Sequence, residues 1–461
     1  MKIYNTLSRT RETFEPIEPG KVRMYVCGVT VYDDSHIGHA LMAVVFDVIR
    51  RYLEWSGYSV THAQNFTDVD DKIIVRAAER GVDPIALAEE YIEAWHRESE
   101  ALNLLPATVY PRASEEIPHI IEMIEGLIEH GAAYVAASGD VNYSVSSFEE
   151  YGKLSHQRLE DLLAGARIGV DETKEHPMDF VLWKAAKPGE IAWESPWGPG
   201  RPGWHIECSV MARRHLGDRI DIHGGGADLI FPHHENEIAQ SETFEECRPF
   251  AKYWVHNALL EFHGDKMSKS VGNLIKTQEI IDNGDVGPFR LMVMQTHYRH
   301  PLTFREEGLE AARRGYERLA NAARGFNEAD VNGSSEEMHS RLKNARDDFK
   351  RAMDDDFNTP VAVSVLFDVA RLANQAEGPD RAKAQQTLLE LGGVLGLPLD
   401  AAEEPERATD AAPFIDLLLE VRAELRADRQ FDAADKIRDR LTSLGVIVED
   451  SPDGATWRIA R

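Results

Sequence analysis

Two imidazoles stand three residues apart in "DDSHIGHA", at His36 and His39, and Cys27 lies nine residues before the first of them. Histidines flanking a glycine can donate hydrogen bonds to a phosphate whose charge grows as it is attacked, while Gly38 lets a flat ligand approach the backbone. Lys266 and Lys269, in "HGDKMSKSVGN" between Gly264 and Gly272, are point charges suited to neutralising a departing polyphosphate. In "HGGGAD", Asp228 follows a glycine run and can accept a hydrogen bond from a ribose hydroxyl. "PHHENE" carries a metal pattern, because His233–Glu237 (four apart) and His234–Glu237 (three apart) each place two donors on one helix face. Joined by Cys27 and Cys208, either pair makes a zinc set, and the thiolates disfavour magnesium or calcium. Spacing alone does not choose between His233 and His234. Cys247, in "FEECRPF", reads as structural.

These residues need a scaffold. "VRMYVCGVTVY" has the β-branched and aromatic content of a buried strand, and Val44, Val45, Val48, Ile49, Tyr52 and Leu53 then recur at helical spacing. "YSVTHAQNF" supplies the next strand, so the first 75 residues form a βαβ unit of a doubly wound parallel sheet. In such sheets ligands bind at the carboxyl ends of the strands, where the segment from Cys27 to His39 falls. The expected fold class is α/β. A Rossmann-like catalytic domain with an insertion comes first, then an α-helical bundle and a small mixed α+β C-terminal unit.

The expected boundaries are 1–131 for the first half of the sheet domain, with helices over 84–131, and 132–204 for a less regular insertion ending in the loop "ESPWGPGRPGW". The second half spans 205–250, with "RIDIHGGGADLIF" as a strand and glycine turn and a helix opened by Pro232. Residues 251–304 hold the lysine loop, 305–399 the helical bundle, and 413–461 the final unit beyond a polar linker, 400–412. That unit presents a helical apolar face of Phe414, Leu417, Leu418, Val421 and Leu425.

A chain of 461 residues with 43% hydrophobic and 28% charged residues reads as a soluble globular protein. It has neither a membrane-length apolar run nor the apolar core of a signal peptide, so a cytoplasmic location and no membrane partner are expected. The net charge of −28 argues against a generally cationic nucleic-acid binder, although not against a local basic surface. Arg290, Arg299, Arg305, Arg313, Arg314, Arg318 and Arg324 form such a local excess, read on their own as a solvated helix face.

Taken together, HIGH and KMSKS on a split parallel sheet resemble the class I aminoacyl-tRNA synthetases. "MYVCGVTVYDDSHIGHA", "NFTDVDDKI", "PWGPGRPGWHIECS", "DIHGGGADLIFPHHENEIAQ", "KMSKSVGN" and the ending "FDAADKIRDRLTSLGVIVEDSPDGATWR" resemble the cysteinyl-tRNA synthetase family, over nearly the whole chain. The resemblance implies zinc ligands at Cys27, Cys208, His233 and Glu237, and so selects His233. It implies HIGH histidines at His36 and His39, with Lys269 on ATP beside Lys266, and a cysteine pocket at Gly28, Thr67 and Trp204. It also implies one zinc per chain, Mg²⁺ with ATP, and L-cysteine and tRNA-Cys as substrates of a monomer. The helical region and C-terminal unit would contact tRNA. Leu41 and Met42 after HIGH-Ala, Ala258, and Gly287-Pro288 depart from the family's usual residues.

Overall fold

The computed structural model describes residues 1–158, 173–245, 248–262, 265–266, 275–400, 407–428, 430–451 and 454–459. Four strands form its central sheet: β1 (Lys21–Thr30), β2 (Ser59–Thr67), β3 (Ile220–Gly226) and β4 (Ala251–Asn257). They run parallel in the order β4-β3-β1-β2. The chain leaves β1 toward one edge and returns to β3 on the other side of it, so the switch point that opens a ligand crevice lies between β1 and β3. The register of β1 against β2 shifts between Val26 and Val29, which puts Cys27 and Gly28 in the irregularity, where a bulge re-aims side chains.

Helix α1 (Ile37–Trp55) crosses from β1 to β2 and buries Val44, Val48, Ile49 and Leu53 at 0–2% exposure. Each such side chain stabilises the packing by about 1.5–3 kcal/mol. The glycine run after His223, expected as a turn, is instead the end of β3, with Gly224, Gly225 and Gly226 in register with Val255, His256 and Asn257. A Cβ on Gly224 would lie 2.2 Å from the Phe46 ring, so the glycine is set by close approach of α1 to the sheet.

Other expectations change in physical detail. The insertion holds an antiparallel sheet of Ala133–Val135, Val141–Tyr143, Phe180–Ala185 and Gly200–Pro202. The Pro/Gly-rich segment expected as a loop supplies its edge strand, the place where a proline's missing donor is tolerated. The helices of 84–131 are two, Pro84–Ala101 and Ile117–Glu129. The bundle comprises Glu306–Ala323, Glu336–Met353, Thr359–Gln375 and Gly378–Val394. An additional break falls at 354–358, where Asp356 and Phe357 adopt positive φ (62° and 52°). The buried Asp356 carboxylate fixes that break by accepting from Tyr4 N–H, Tyr298 O–H and Arg299 Nε–H, each at 2.8 Å.

Arg290 is not on a solvated face. It is fully buried in α4 (Val286–Met294), bonded to Asp47 of α1, whereas Arg305, Arg314, Arg318 and Arg324 of the same basic stretch are exposed. Gly287 in α4 answers a packing need, since a Cβ there would lie 2.4 Å from the Tyr316 ring.

Met1–Asp400 and Ala401–Arg461 are separate compact units. In the second, helix Arg407–Ala427 begins inside the segment expected as linker; helix Phe431–Ser443 and the hairpin Val446–Ser451/Gly454–Ile459 follow. Its core is Ile415, Leu419, Leu441 and Val446. The apolar face read from the sequence is not the one that packs in this core: Phe414, Leu417, Leu418 and Val421 are 38–70% exposed. Among the described residues no helix is long and apolar enough to cross a membrane.

Candidate active site

The carboxyl end of β1, α2 (Trp204–Leu216) and α3 (Glu235–Phe244) bring the thiol, imidazole and carboxylate groups together. Pro232 does not open α3; it follows an extended Phe231 (φ −137°, ψ 133°) in the turn Ile230–His234. His233 and Glu237 still share a face, with Nε2 and Oε1 at 3.1 Å. The donor atoms of Cys27, Cys208, His233 and Glu237 all lie within 4.8 Å of one another and are buried.

Cys27 Sγ and Cys208 Sγ are 3.8 Å apart. Two sulfurs at about 2.3 Å from a tetrahedral zinc would be separated by about 3.8 Å. His205 Nδ1 holds His233 Nδ1 at 2.9 Å, and His223 Nε2 holds Glu237 Oε2 at 2.7 Å. The His233 ring and the Glu237 carboxylate are thereby each oriented from behind, as a metal ligand requires. A second group, Cys27, His223, His234 and Glu237, meets the same distance criterion. It has one thiol fewer, and His234 Nδ1 is tied to His256 Nε2 at 2.8 Å.

The charges carry the same message. Burial, the Cys208 sulfur and Glu237 push the Cys27 thiol well above its ordinary range. The hydrogen bond from Cys27, aided by His233, holds Cys208 down to about 6 against its burial. Against the opposing effect of burial, Cys208 and Glu237 raise His233 to about 10. Although burial pulls it upward, His223 and His233 lower Glu237 to about 2. Cys27 and His233 are both pushed toward their protonated forms by the anionic groups around them, the positive charge that a divalent cation would bring. The residues fit a metal-binding cluster compatible with zinc.

A cleft of about 500 Å³ adjoins the cluster, lined by Gly28, His36, His39, Trp204 and Asp228 among others. Trp204 is 39% exposed and packs against His233, with the rings tilted by 31° and their centroids 4.2 Å apart. Thr67, at the end of β2, is buried and donates to Glu207 Oε2 at 3.0 Å. His36 caps α1: its Nδ1 accepts from Gly38 N–H (3.2 Å), and His39 Nδ1 accepts from His36 N–H (3.4 Å). Both rings therefore carry their proton on Nε2, which makes each a donor. They stack at 3.8 Å. Burial, then the neighbouring His36 and Lys72, lowers His39 to about 3, so it stays neutral near pH 7.

Lys266 is described only as backbone, in the two-residue strand Asp265–Lys266 paired with Glu261–Phe262. Lys269 and Cys247 lie outside the described residues. Sequence reasoning passed over His205, His223, Lys72 and Lys276. The two lysines line the cleft, and Lys276 pairs with Asp34 at 2.7 Å. No spacing rule would have found them; His223 sat in a motif singled out for its glycines and Asp228.

The tRNA synthetases class I (C) catalytic domain matches residues 13–314, the DALR domain 348–400, and the cysteinyl-tRNA ligase anticodon binding domain 409–458. A cysteine–tRNA ligase of Dehalococcoides mccartyi (strain ATCC BAA-2266 / KCTC 15142 / 195) is 53% identical over 461 residues, covering 100% of this chain and 99% of that one. That of Thioalkalivibrio sulfidiphilus (strain HL-EbGR7) is 50% identical over 465 residues, covering 99% of each. In fold, a Mycobacterium tuberculosis methionyl-tRNA synthetase in complex with methionyl-adenylate superposes with a TM-score of 0.59 at 16% identity, over 87% of this chain and 94% of that one. Strand order, cleft, cluster and full-length similarity agree, and the chain belongs to the cysteinyl-tRNA synthetase family of class I aminoacyl-tRNA synthetases.

Proposed function

We propose that the chain activates L-cysteine with Mg-ATP, forming cysteinyl adenylate and releasing pyrophosphate, and then passes the cysteinyl group to the 3′-terminal ribose of tRNA-Cys. The observation that carries this reading is the buried Cys27–Cys208–His233–Glu237 cluster beside a cleft lined by His36 and His39. Cysteine and serine differ by one atom, a difference that shape alone discriminates poorly. A zinc ion held by the four ligands would supply soft Lewis acidity that favours a thiolate over a serine hydroxyl.

The chain's own residues do the rest. Gly28, Thr67 and Trp204 form the amino-acid pocket, and Asp228 takes a ribose hydroxyl. His36 and His39 donate from Nε2 to the α-phosphate as the cysteine carboxylate attacks it. Their donors act on charge that develops in the transition state, where such bonds count most. Lys266 and Lys269 neutralise the departing pyrophosphate. Residues 305–399 and 413–461 bind tRNA, and the working form is a cytoplasmic monomer.

A rival reading, in which cysteine is activated and joined to an amino sugar, leaves the C-terminal unit without a purpose. Charging of tRNA-Cys with labelled cysteine separates the two. Cysteine-dependent charging is expected. Adenylate formation with no charging, but with transfer to an amino sugar, would overturn the tRNA reading.

A further inference from the structure

Lys72 is the second residue of helix Asp71–Arg80, which begins just beyond the carboxyl end of β2. It follows Asp70 and Asp71 in the sequence, yet neither takes its ammonium. Asp70 serves as the helix cap, its Oδ1 accepting the Lys72 backbone N–H at 2.8 Å. Asp71 turns to the insertion, where Lys184 Nζ lies 2.7 Å away and Arg201 also binds it. No carboxylate pairs with Lys72 among the described residues; its ammonium sits 5.5 Å from the centroid of the Tyr32 ring, and both side chains line the cleft. The other described lysine of the cleft, Lys276, is matched by Asp34 at 2.7 Å, and Asp33 lies 4.0 Å from Arg76. In a chain of net charge −28, an exposed lysine with no carboxylate partner, at the wall of a cleft, attracts an anion to that wall.

Strand order indicates which anion. Asp228 lies just past the carboxyl end of β3, His36 and His39 lie beyond β1, and Lys72 lies beyond β2, with β1 between β3 and β2. A nucleotide whose ribose meets Asp228 and whose α-phosphate meets the histidines continues toward Lys72 with its β- and γ-phosphates. Lysine is a compact point charge, suited to phosphate oxygens without a fixed geometry.

We propose that Lys72 is a further catalytic residue, whose ammonium binds the pyrophosphoryl end of ATP and stays on it as it leaves. The inference rests on the cysteine-activation reading and supplies a cation from the β2 side of the cleft. In the step it serves, a carboxylate oxygen of cysteine bonds to the α-phosphorus. The bond from that phosphorus to the bridging oxygen breaks, and its electron pair departs with pyrophosphate. Lys72 keeps its proton throughout and offsets the charge that grows on the leaving group. The rivals are a merely solvated lysine and a contact with the phosphates of the tRNA acceptor end.

The probes that separate them are α,β-methylene-ATP, which keeps the pyrophosphoryl end, and AMP, which lacks it. Each is used as an inhibitor of cysteine-dependent pyrophosphate exchange by the full chain. Lys72→Met should slow adenylate formation in rapid-quench assays about tenfold to a hundredfold, the range for losing a hydrogen bond to a charged group. Its KI for α,β-methylene-ATP should rise by about tenfold, while its KI for AMP and its KM for cysteine stay within about twofold. Lys72→Arg, which keeps the charge, should recover most of the loss. Transfer from preformed cysteinyl adenylate to tRNA should change by less than about twofold in either variant. An unchanged KI for α,β-methylene-ATP, an equal rise for AMP, a Lys72→Arg variant as slow as Lys72→Met, or a defect confined to transfer would overturn the proposal. Absence of cysteine-dependent exchange in the unaltered protein would instead overturn the underlying reading.

Discussion

Replacing Arg290 by methionine tests how the helix that starts at His36 is held. The guanidinium is 0% exposed. Nη2 bonds Asp47 Oδ2 at 2.5 Å and Leu395 O at 3.2 Å, while Nη1 bonds Leu102 O at 3.0 Å. One side chain thus ties α1 to the end of Pro84–Ala101 and to the turn after Gly378–Val394. Gly396, with φ +65°, is required there, because a Cβ would lie 1.8 Å from Nη2. Arg290→Met leaves the buried Asp47 carboxylate one cation short and orphans two carbonyls. Removing one partner of a buried ion pair costs about 3–5 kcal/mol. Asp47 keeps Arg51 Nε at 2.8 Å and Leu105 N–H at 2.9 Å, which favours the lower half of that range. With a urea slope of about 3 kcal/mol/M, the unfolding midpoint of the full chain should fall by about 1 M. The double variant Asp47→Leu/Arg290→Met should lose less than the sum of the singles, since the two groups share one interaction. A solvated helix face, the reading from sequence, allows only about 0.5 kcal/mol. A midpoint shift below about 0.2 M would refute the buried hub.

Three further outcomes follow from the same structure. His36→Ala and His39→Ala should each slow adenylate formation about 10²–10³-fold in rapid-quench assays, and with His39 held at about 3 the unaltered protein should show no His39 titration limb above pH 5. Burial, with nearby Arg50 adding to it, lowers His62 to about 3. Because the unfolded chain binds that proton near 6.5, the stability His62 contributes is complete above pH 6.5 and is lost as pH falls toward 3, about 2 kcal/mol of it by pH 5. His62→Phe should flatten the acid limb of urea stability between pH 7 and 5 by that amount; an unchanged limb would refute it. Ending the chain after Asp400 removes the second compact unit but no residue of the cleft, so pyrophosphate exchange should persist while tRNA charging falls, and equal charging would refute a tRNA role for that unit.

The sheet and the HIGH helix were legible because their signals are local. β-branched runs, helical spacing and a capped helix start all lie within one stretch of chain. The ligand set was not legible from spacing, since its members come from separate elements and only a resemblance preferred His233 to His234. The glycines of β3 misled because a buried parallel strand packed under Phe46 has the composition of a turn. Arg290 misled for the converse reason: a run of arginines looks solvated until one of them finds Asp47 inside. At Ile415 and Leu419, against Phe414 and Leu418, an amphipathic helix offered two candidate faces. Only packing against Leu441 and Val446 decides between them.

The central claim is that cysteine is the amino acid this protein activates. ATP–pyrophosphate exchange across a panel of amino acids should proceed with cysteine and remain near background with serine, in a protein carrying one zinc per chain. Exchange with serine comparable to that with cysteine, or full exchange in a Cys208→Ala variant that has lost its metal, would contradict it.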